Sequence, residues 1–120
     1  LRPGFFCFLL FIFACSIDTD SDTPRSENPE LDTFAKCLTE RGYEMAGTES
    51  CSHCRAQKAR FQDSFRFIRY HDCKADTSWC RDKGIRAYPT WVSPDGKLHV
   101  GEKELSELSA LSGCDIDRNL

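Results

Sequence analysis

The chain has 120 residues, 40% hydrophobic and 29% charged, with 16 Lys and Arg against 19 Asp and Glu and a formal net charge of −3. That length suits one small domain, and the acidic balance argues against a nucleic-acid-binding surface, which would carry a basic excess. Eight cysteines exceed ordinary usage but fall short of a scaffold built from disulfides alone, so a hydrophobic core still contributes and cysteine chemistry is the first place to look.

Residues 1–17 read LRPGFFCFLLFIFACSI, one basic residue followed by an apolar run. The run is shorter than the ~20 apolar residues of a membrane-spanning helix and matches the hydrophobic part of an export signal, so residues 1–16 are expected to be a signal peptide or lipoprotein signal. Ile12-Phe13-Ala14-Cys15 resembles a bacterial lipobox, which would make Cys15 the lipidated residue. Ala14-Cys15-Ser16 equally fits cleavage in ordinary secretion, and an uncleaved anchor is the third reading. All three export the domain to a bacterial periplasm or cell envelope, tethered to the membrane where a lipid or anchor remains, and Cys7 would leave with a cleaved signal. Residues 17–29 are acidic, contain two prolines and have too little apolar surface to offset chain entropy, and are expected to be a flexible linker. Outside the cytoplasm, thiols meet oxidants and persist as disulfides.

Residues 30–114 carry the folded part, with 115–120 as a tail. Leu31, Phe34, Ala35 and Leu38 follow helical spacing up to Gly42. The stretch from Tyr43 to Thr48 reads as a strand, after which Ser50 is placed to cap a helix running to about Ser64, with Ala56, Ala59 and Phe65 on its apolar side. Alternation from Arg66 to His71 predicts a second strand, parallel to the first across the helical crossover. A short helix over Ser78 to Lys83 leads to Pro89-Thr90-Trp91-Val92, and Asp95-Gly96 turns the chain into Lys97 to Val100. Leu105, Leu108 and Leu111 form a last helix ended by Gly113. The expected fold class is α/β: a β-α-β unit followed by β-β-α, with a central mixed four-stranded sheet flanked by helices.

Cys51-Ser52-His53-Cys54 is a C-x-x-C at a helix start, directly after a strand and inside a β-α-β unit, which is the thioredoxin-like redox context. At that position unpaired backbone N–H groups and the helix macrodipole favour thiolate over thiol at Cys51, the expected nucleophile. Cys54, one turn further in, is the expected resolving thiol, able to attack a mixed disulfide formed at Cys51. Half of a zinc site has the same spacing. A second feature favours redox use: the thioredoxin fold places a proline, usually cis, opposite the two sulfurs, and Tyr88-Pro89-Thr90 occupies that place. Tyr88 and Pro89 are therefore the expected substrate-binding residues.

Several further stretches extend the likeness: FAKCLTERG, CSHC, Tyr70-His71-Asp72-Cys73, Cys80 to Ile85, and Tyr88-Pro89-Thr90-Trp91. Together they resemble the thioredoxin-like domain fused to bacterial vitamin K epoxide reductase homologues, over residues 31 to 113. The resemblance implies a domain that passes disulfides between exported protein thiols and a membrane-embedded quinone reductase, with Cys51 and Cys54 as the reactive pair and no cofactor besides that disulfide. The chain differs from that family in lacking the four-helix membrane part, and in having Glu49-Ser50 where an aromatic residue usually precedes the first cysteine. Glu49 places a carboxylate near the first sulfur, which disfavours negative charge there. Met45 stands where thioredoxin proper has a buried Asp for proton transfer, leaving water or His53 for that task.

A cationic or hydrogen-bonding His53 beside the Cys51 sulfur would stabilise the reduced form, and ~1.4 kcal/mol of such stabilisation corresponds to ~30 mV for this couple. That favours an oxidase or disulfide carrier acting as a monomer, with reductase or isomerase as the alternative. Cys73 and Cys80 are expected to form a structural disulfide worth about 2.5 kcal/mol, the sharper option being a second exchange relay. Two readings of another class stay open: a non-catalytic binding domain, and a zinc module using Cys51, Cys54, Cys73 and Cys80. Cys37 and Cys114 are open between pairing and free thiols; in a thioredoxin-like arrangement their helices lie on opposite sheet faces, which argues against pairing. His71 and His99 read as surface residues, Arg55, Lys58 and Arg60 as a solvated helix face, and Trp79 and Trp91 as packing residues.

Overall fold

A computed structural model describes residues 28–117 together with Gly4 and Asn119. The expected export signal, including Cys15, and most of the expected linker lie outside the described residues. Asn28 caps the first helix, its side chain accepting from the Leu31 N–H at 3.1 Å, and Pro29 fills the first turn, where it costs no hydrogen bond. This α1 (Pro29–Glu40) buries Leu31, Phe34, Ala35 and Leu38, the face expected from their spacing.

The remaining elements are β1 (Glu44–Gly47), α2 (Ser52–Phe61), a 3-10 helix (Gln62–Phe67), β2 (Arg69–Asp72), α3 (Thr77–Lys83), β3 (Thr90–Val92), β4 (Leu98–Val100) and α4 (Leu105–Ser112). The strands form one sheet in the order β2-β1-β3-β4. β1 and β2 are parallel, whereas β3 is antiparallel to both β1 and β4. The chain is thus α/β with a mixed four-stranded sheet flanked by helices, in the element order expected from the sequence. Among the described residues no helix is long and apolar enough to cross a membrane.

Two boundaries differ from expectation. The helix α2 ends at Phe61 because Gln62 adopts φ 50°, a left-handed turn for a non-glycine residue, and the chain continues as 3-10 turns. The alternation Arg66-Phe67-Ile68 imitates a strand, but Phe67 stays with α1: its carbonyl accepts from the Thr39 hydroxyl at 2.7 Å, and its ring lies under Lys36 and Arg66. β2 therefore begins only at Arg69.

The main core brings Phe34, Met45, Cys54, Phe61, Trp91, Leu108 and Cys114 into one cluster, while Ala46, Cys73 and Cys80 form a smaller one with Trp79 and Ile85 packed against it. Met45 and Ala46 are adjacent in β1 and point to opposite faces, so α3 covers one face while α1, α2 and α4 share the other. That arrangement corrects the expectation for Cys37 and Cys114. Their helices lie on the same face, and the two sulfurs are bonded at 2.09 Å, with Cα atoms 6.0 Å apart. Two hydrogen bonds support the same junction: Arg41 donates to the Ser112 carbonyl and Tyr43 to the Leu111 carbonyl, each at 2.8 Å.

Candidate active site

The end of β1 and the start of α2 bring the C-x-x-C together. Cys51, rather than the expected Ser50, is the residue that caps α2: its Sγ accepts from the Cys54 N–H at 3.2 Å. The sulfur thus occupies the place where a capping oxygen satisfies a free donor at a helix start, a position that favours negative charge. Cys51 is half-buried and Cys54 fully buried, and both are free thiols. This asymmetry places one sulfur within reach of an incoming group and the other behind it.

Tyr88 and Pro89 come to the same place from the far side. The Tyr88-Pro89 peptide bond is cis, and the Cys51 thiol donates to the Tyr88 carbonyl at 3.6 Å. Tyr88 is 42% exposed, a large apolar side chain left open beside the two thiols. Next to it a hollow of about 310 Å³ is lined by Cys73, Thr77, Cys80, Arg81, Arg86 and Tyr88, among others.

Burial, then the hydrogen bond with Cys51, pushes the Cys54 thiol up to about 11, against the partial opposition of the Thr48 backbone and the Lys58 charge. The folded reduced protein therefore holds this proton to higher pH than the unfolded chain does. Its contribution is fully present below about pH 9 and is lost as the pH rises toward 11. Urea unfolding compared between neutral pH and ~pH 11 should show the reduced protein losing on the order of 2 kcal/mol more than the form with Cys51 and Cys54 oxidised. Equal losses in the two forms would remove Cys54 as the source.

His53 does not stand where the sequence reading placed it. Its ring is on the outer side of α2, 75% exposed, with Nδ1 3.4 Å from Glu102 Oε2. The hydrogen bonds of the Cys51 sulfur run to the Cys54 N–H and the Tyr88 carbonyl. Glu102 also accepts from Arg60 Nε at 2.9 Å, and that bond, followed by His53, holds its carboxyl below the usual range. Glu49, expected to burden the first sulfur with negative charge, is instead paired with Lys58 at 2.9 Å.

Cys73 and Cys80 are joined at 2.03 Å with Cα atoms 5.6 Å apart, across the turn that starts α3. Bonded sulfurs supply no thiolate, so the four-cysteine zinc set is not assembled here, and no cluster of three or more metal-ligating side chains occurs among the described residues. Cys73 donates its N–H to the Gly47 carbonyl at 2.9 Å, which ties this bridge to the end of β1, the strand that leads into the C-x-x-C.

Other side chains gain roles that the sequence reading missed. Gln57 is fully buried on α2, and its Oε1 accepts from Trp91 Nε1 at 3.1 Å and from the Lys103 N–H at 2.6 Å, while its Nε2 donates to the Lys103 carbonyl at 3.0 Å. One amide thus fastens the reactive helix to β3 and to the segment before α4. The buried side of α2 is Cys54, Gln57 and Phe61, whereas Ala59, assigned to it above, is exposed. Lys58 is 21% exposed and lies against Tyr70, so the basic residues of α2 are not one solvated face. His71 is no surface residue either: it stacks on Trp79 with centroids 3.5 Å apart and is held by Asp76 and Glu44 at 2.9 and 3.3 Å. His99 is half-buried, with Nε2 3.2 Å from the Ser93 hydroxyl.

No protein-family model matches the chain, and no curated protein matches it either.

Proposed function

We propose that the chain is a thioredoxin-like, extracytoplasmic thiol–disulfide oxidoreductase that exchanges disulfides with protein substrates through Cys51 and Cys54. The observation that carries this reading is the meeting of a half-buried Cys51 sulfur, at the capping position of α2, with the Tyr88 carbonyl of the cis Tyr88-Pro89 bond. A substrate thiolate attacks the Cys51 sulfur of the oxidised pair and Cys54 leaves. A second substrate thiolate then attacks its partner sulfur in the mixed disulfide, releasing a new substrate disulfide and the two reduced cysteines. An extended substrate segment lying along Tyr88 and Pro89 presents its cysteine to Cys51 while Cys54 stays covered.

The carrier or oxidase direction, with recharging by a quinone-linked membrane partner resembling vitamin K epoxide reductase, rests on the sequence resemblance. The outward placement of His53 weakens one of its supports, because the ring is paired with Glu102 while the hydrogen bonds of the Cys51 sulfur go to the Cys54 N–H and the Tyr88 carbonyl. Reductase or isomerase activity remains the second reading for that reason. A glutathione redox titration of the full chain, with alkylation and mass spectrometry at Cys51 and Cys54, distinguishes them. A potential well above the ~−270 mV of thioredoxin supports a disulfide donor, and one near it supports a reductant. A pair that never titrates rejects both.

A further inference from the structure

Behind the reactive pair lies a group of polar atoms that the exchange steps above leave unused. Tyr70 stands on β2 opposite Met45, its ring packs edge-on against Phe65, and its buried hydroxyl has Lys58 beside it but no acceptor for its own hydrogen. A native fold rarely leaves such a group unpaired unless it serves something. The Lys58 ammonium sits 3.9 Å from the centroid of this ring and 2.9 Å from Glu49 Oε1. Lys58 follows Cys54 by four residues on α2, which places the two on one face of the helix.

Gly47 closes the group from β1. A Cβ at this position would stand 2.9 Å from the Cys54 Sγ and 3.2 Å from Tyr70 Cε2, so the missing side chain leaves room for both the sulfur and the edge of the ring beside this point of β1. The titratable groups facing this space are Cys51, Cys54 and Lys58 of α2, Glu49 of the preceding loop, and Tyr70 of β2, with Asp72 beyond it. Burial alone would lower Lys58, but Glu49 and Tyr70 outweigh it and hold the ammonium above its ordinary value. The cation is therefore present throughout the working pH range. Met45 is in the core and His53 faces Glu102, so neither serves Cys54.

We propose that Lys58 and the Tyr70 hydroxyl are positioning residues for the buried Cys54 sulfur, the ammonium supplying positive field and the hydroxyl turning its unused hydrogen toward the thiolate. The inference rests on the exchange reaction proposed above. In the resolving direction a Cys51–Cys54 bond forms, the bond from Cys51 to the substrate sulfur breaks, and the electron pair leaves on that sulfur. Cys54 gives its proton to solvent and the substrate thiolate takes one up, with the substrate cysteine as the only co-reactant. In the reverse direction Cys54 is the leaving group. Negative charge passes through the Cys54 sulfur both ways, in a place that water does not solvate.

The test titrates Cys54 in the reduced full chain carrying Cys51→Ser, by its 13Cβ chemical shift against pH, with and without Lys58→Met, Lys58→Arg and Tyr70→Phe. Loss of the nearby charge in Lys58→Met should raise the Cys54 midpoint by roughly one pH unit, about tenfold less thiolate at fixed pH. Lys58→Arg should keep the midpoint and Tyr70→Phe should raise it by a smaller amount. With Cys51 restored, release of glutathione from a Cys51 mixed disulfide should slow roughly threefold in Lys58→Met, tenfold less thiolate being partly offset by its greater nucleophilicity, and its pH profile should move the same way. An unmoved midpoint and an unmoved rate profile in both Lys58→Met and Tyr70→Phe overturn the inference. The titration needs no substrate, so it is read even where the exchange reaction fails.

Discussion

Replacing Cys54 with Ala is expected to turn a transient adduct at Cys51 into one that can be isolated. The substitution removes a fully buried sulfur but leaves the residue 54 backbone N–H that donates to the Cys51 sulfur, so the entry side of the site keeps its geometry. Cys51 still attacks an oxidised partner and forms the mixed disulfide, but nothing within the molecule resolves it. A thiol held one helical turn away acts with a very high effective concentration, and its loss should slow release at least ~1000-fold. The measurement is non-reducing electrophoresis and mass spectrometry of Cys54→Ala after incubation with oxidised glutathione and then with envelope proteins. Reductant should dissolve every adduct, and the Cys51→Ala variant should form none. Absence of adducts in Cys54→Ala counts against the oxidoreductase reading.

The second large effect concerns stability. The Cys37–Cys114 bridge spans a sequence separation of 77, against 7 for Cys73–Cys80. In the chain-entropy model the long closure is worth about 4.5 kcal/mol and the short one about 2.5 kcal/mol. A small domain is stable by only ~5–15 kcal/mol in total. The double variant Cys37→Ala, Cys114→Ala should therefore lose a large part of its stability, with Tm falling by roughly 15 °C or more. The short-bridge double variant should lose less. Thermal unfolding of both, with the reactive pair kept in one redox state, makes the comparison, and a smaller loss from the long bridge than from the short one would contradict it.

Local signals carried most of what the sequence showed. The C-x-x-C after a strand, the proline before β3 and the spacing of Leu31, Phe34 and Leu38 each depend on residues close in the chain, and each stands where its pattern placed it. The misplacements came from contacts between distant segments. The motif points His53 toward its neighbouring sulfur, whereas its partner Glu102 is 49 residues away. A division of the first and last helices between opposite sheet faces would keep Cys37 and Cys114 apart, but Phe34 and Leu108 pack in one cluster and bring them together. Gln57 and Lys58 look like solvent-facing helix residues because polarity alone does not reveal a buried amide partner or a tyrosine ring. The start of β2 failed for a different reason: aromatic alternation is also compatible with a 3-10 turn that lays Phe67 on α1.

The Cys37–Cys114 bond also gives the domain a covalent topology that its linear sequence does not suggest. Everything from the middle of α1 to the residue after Gly113 is a closed ring, and Cys51, Cys54, Tyr88 and Pro89 all lie on it. A protease that cuts once within the ring, at an exposed loop such as Pro94 to Lys97, opens the ring and releases no fragment. The nicked molecule keeps its mass apart from one added water, and its two pieces separate only after reduction. Wherever a protease meets the domain, a single cut within the ring therefore does not shed the segment that holds Cys51 and Cys54.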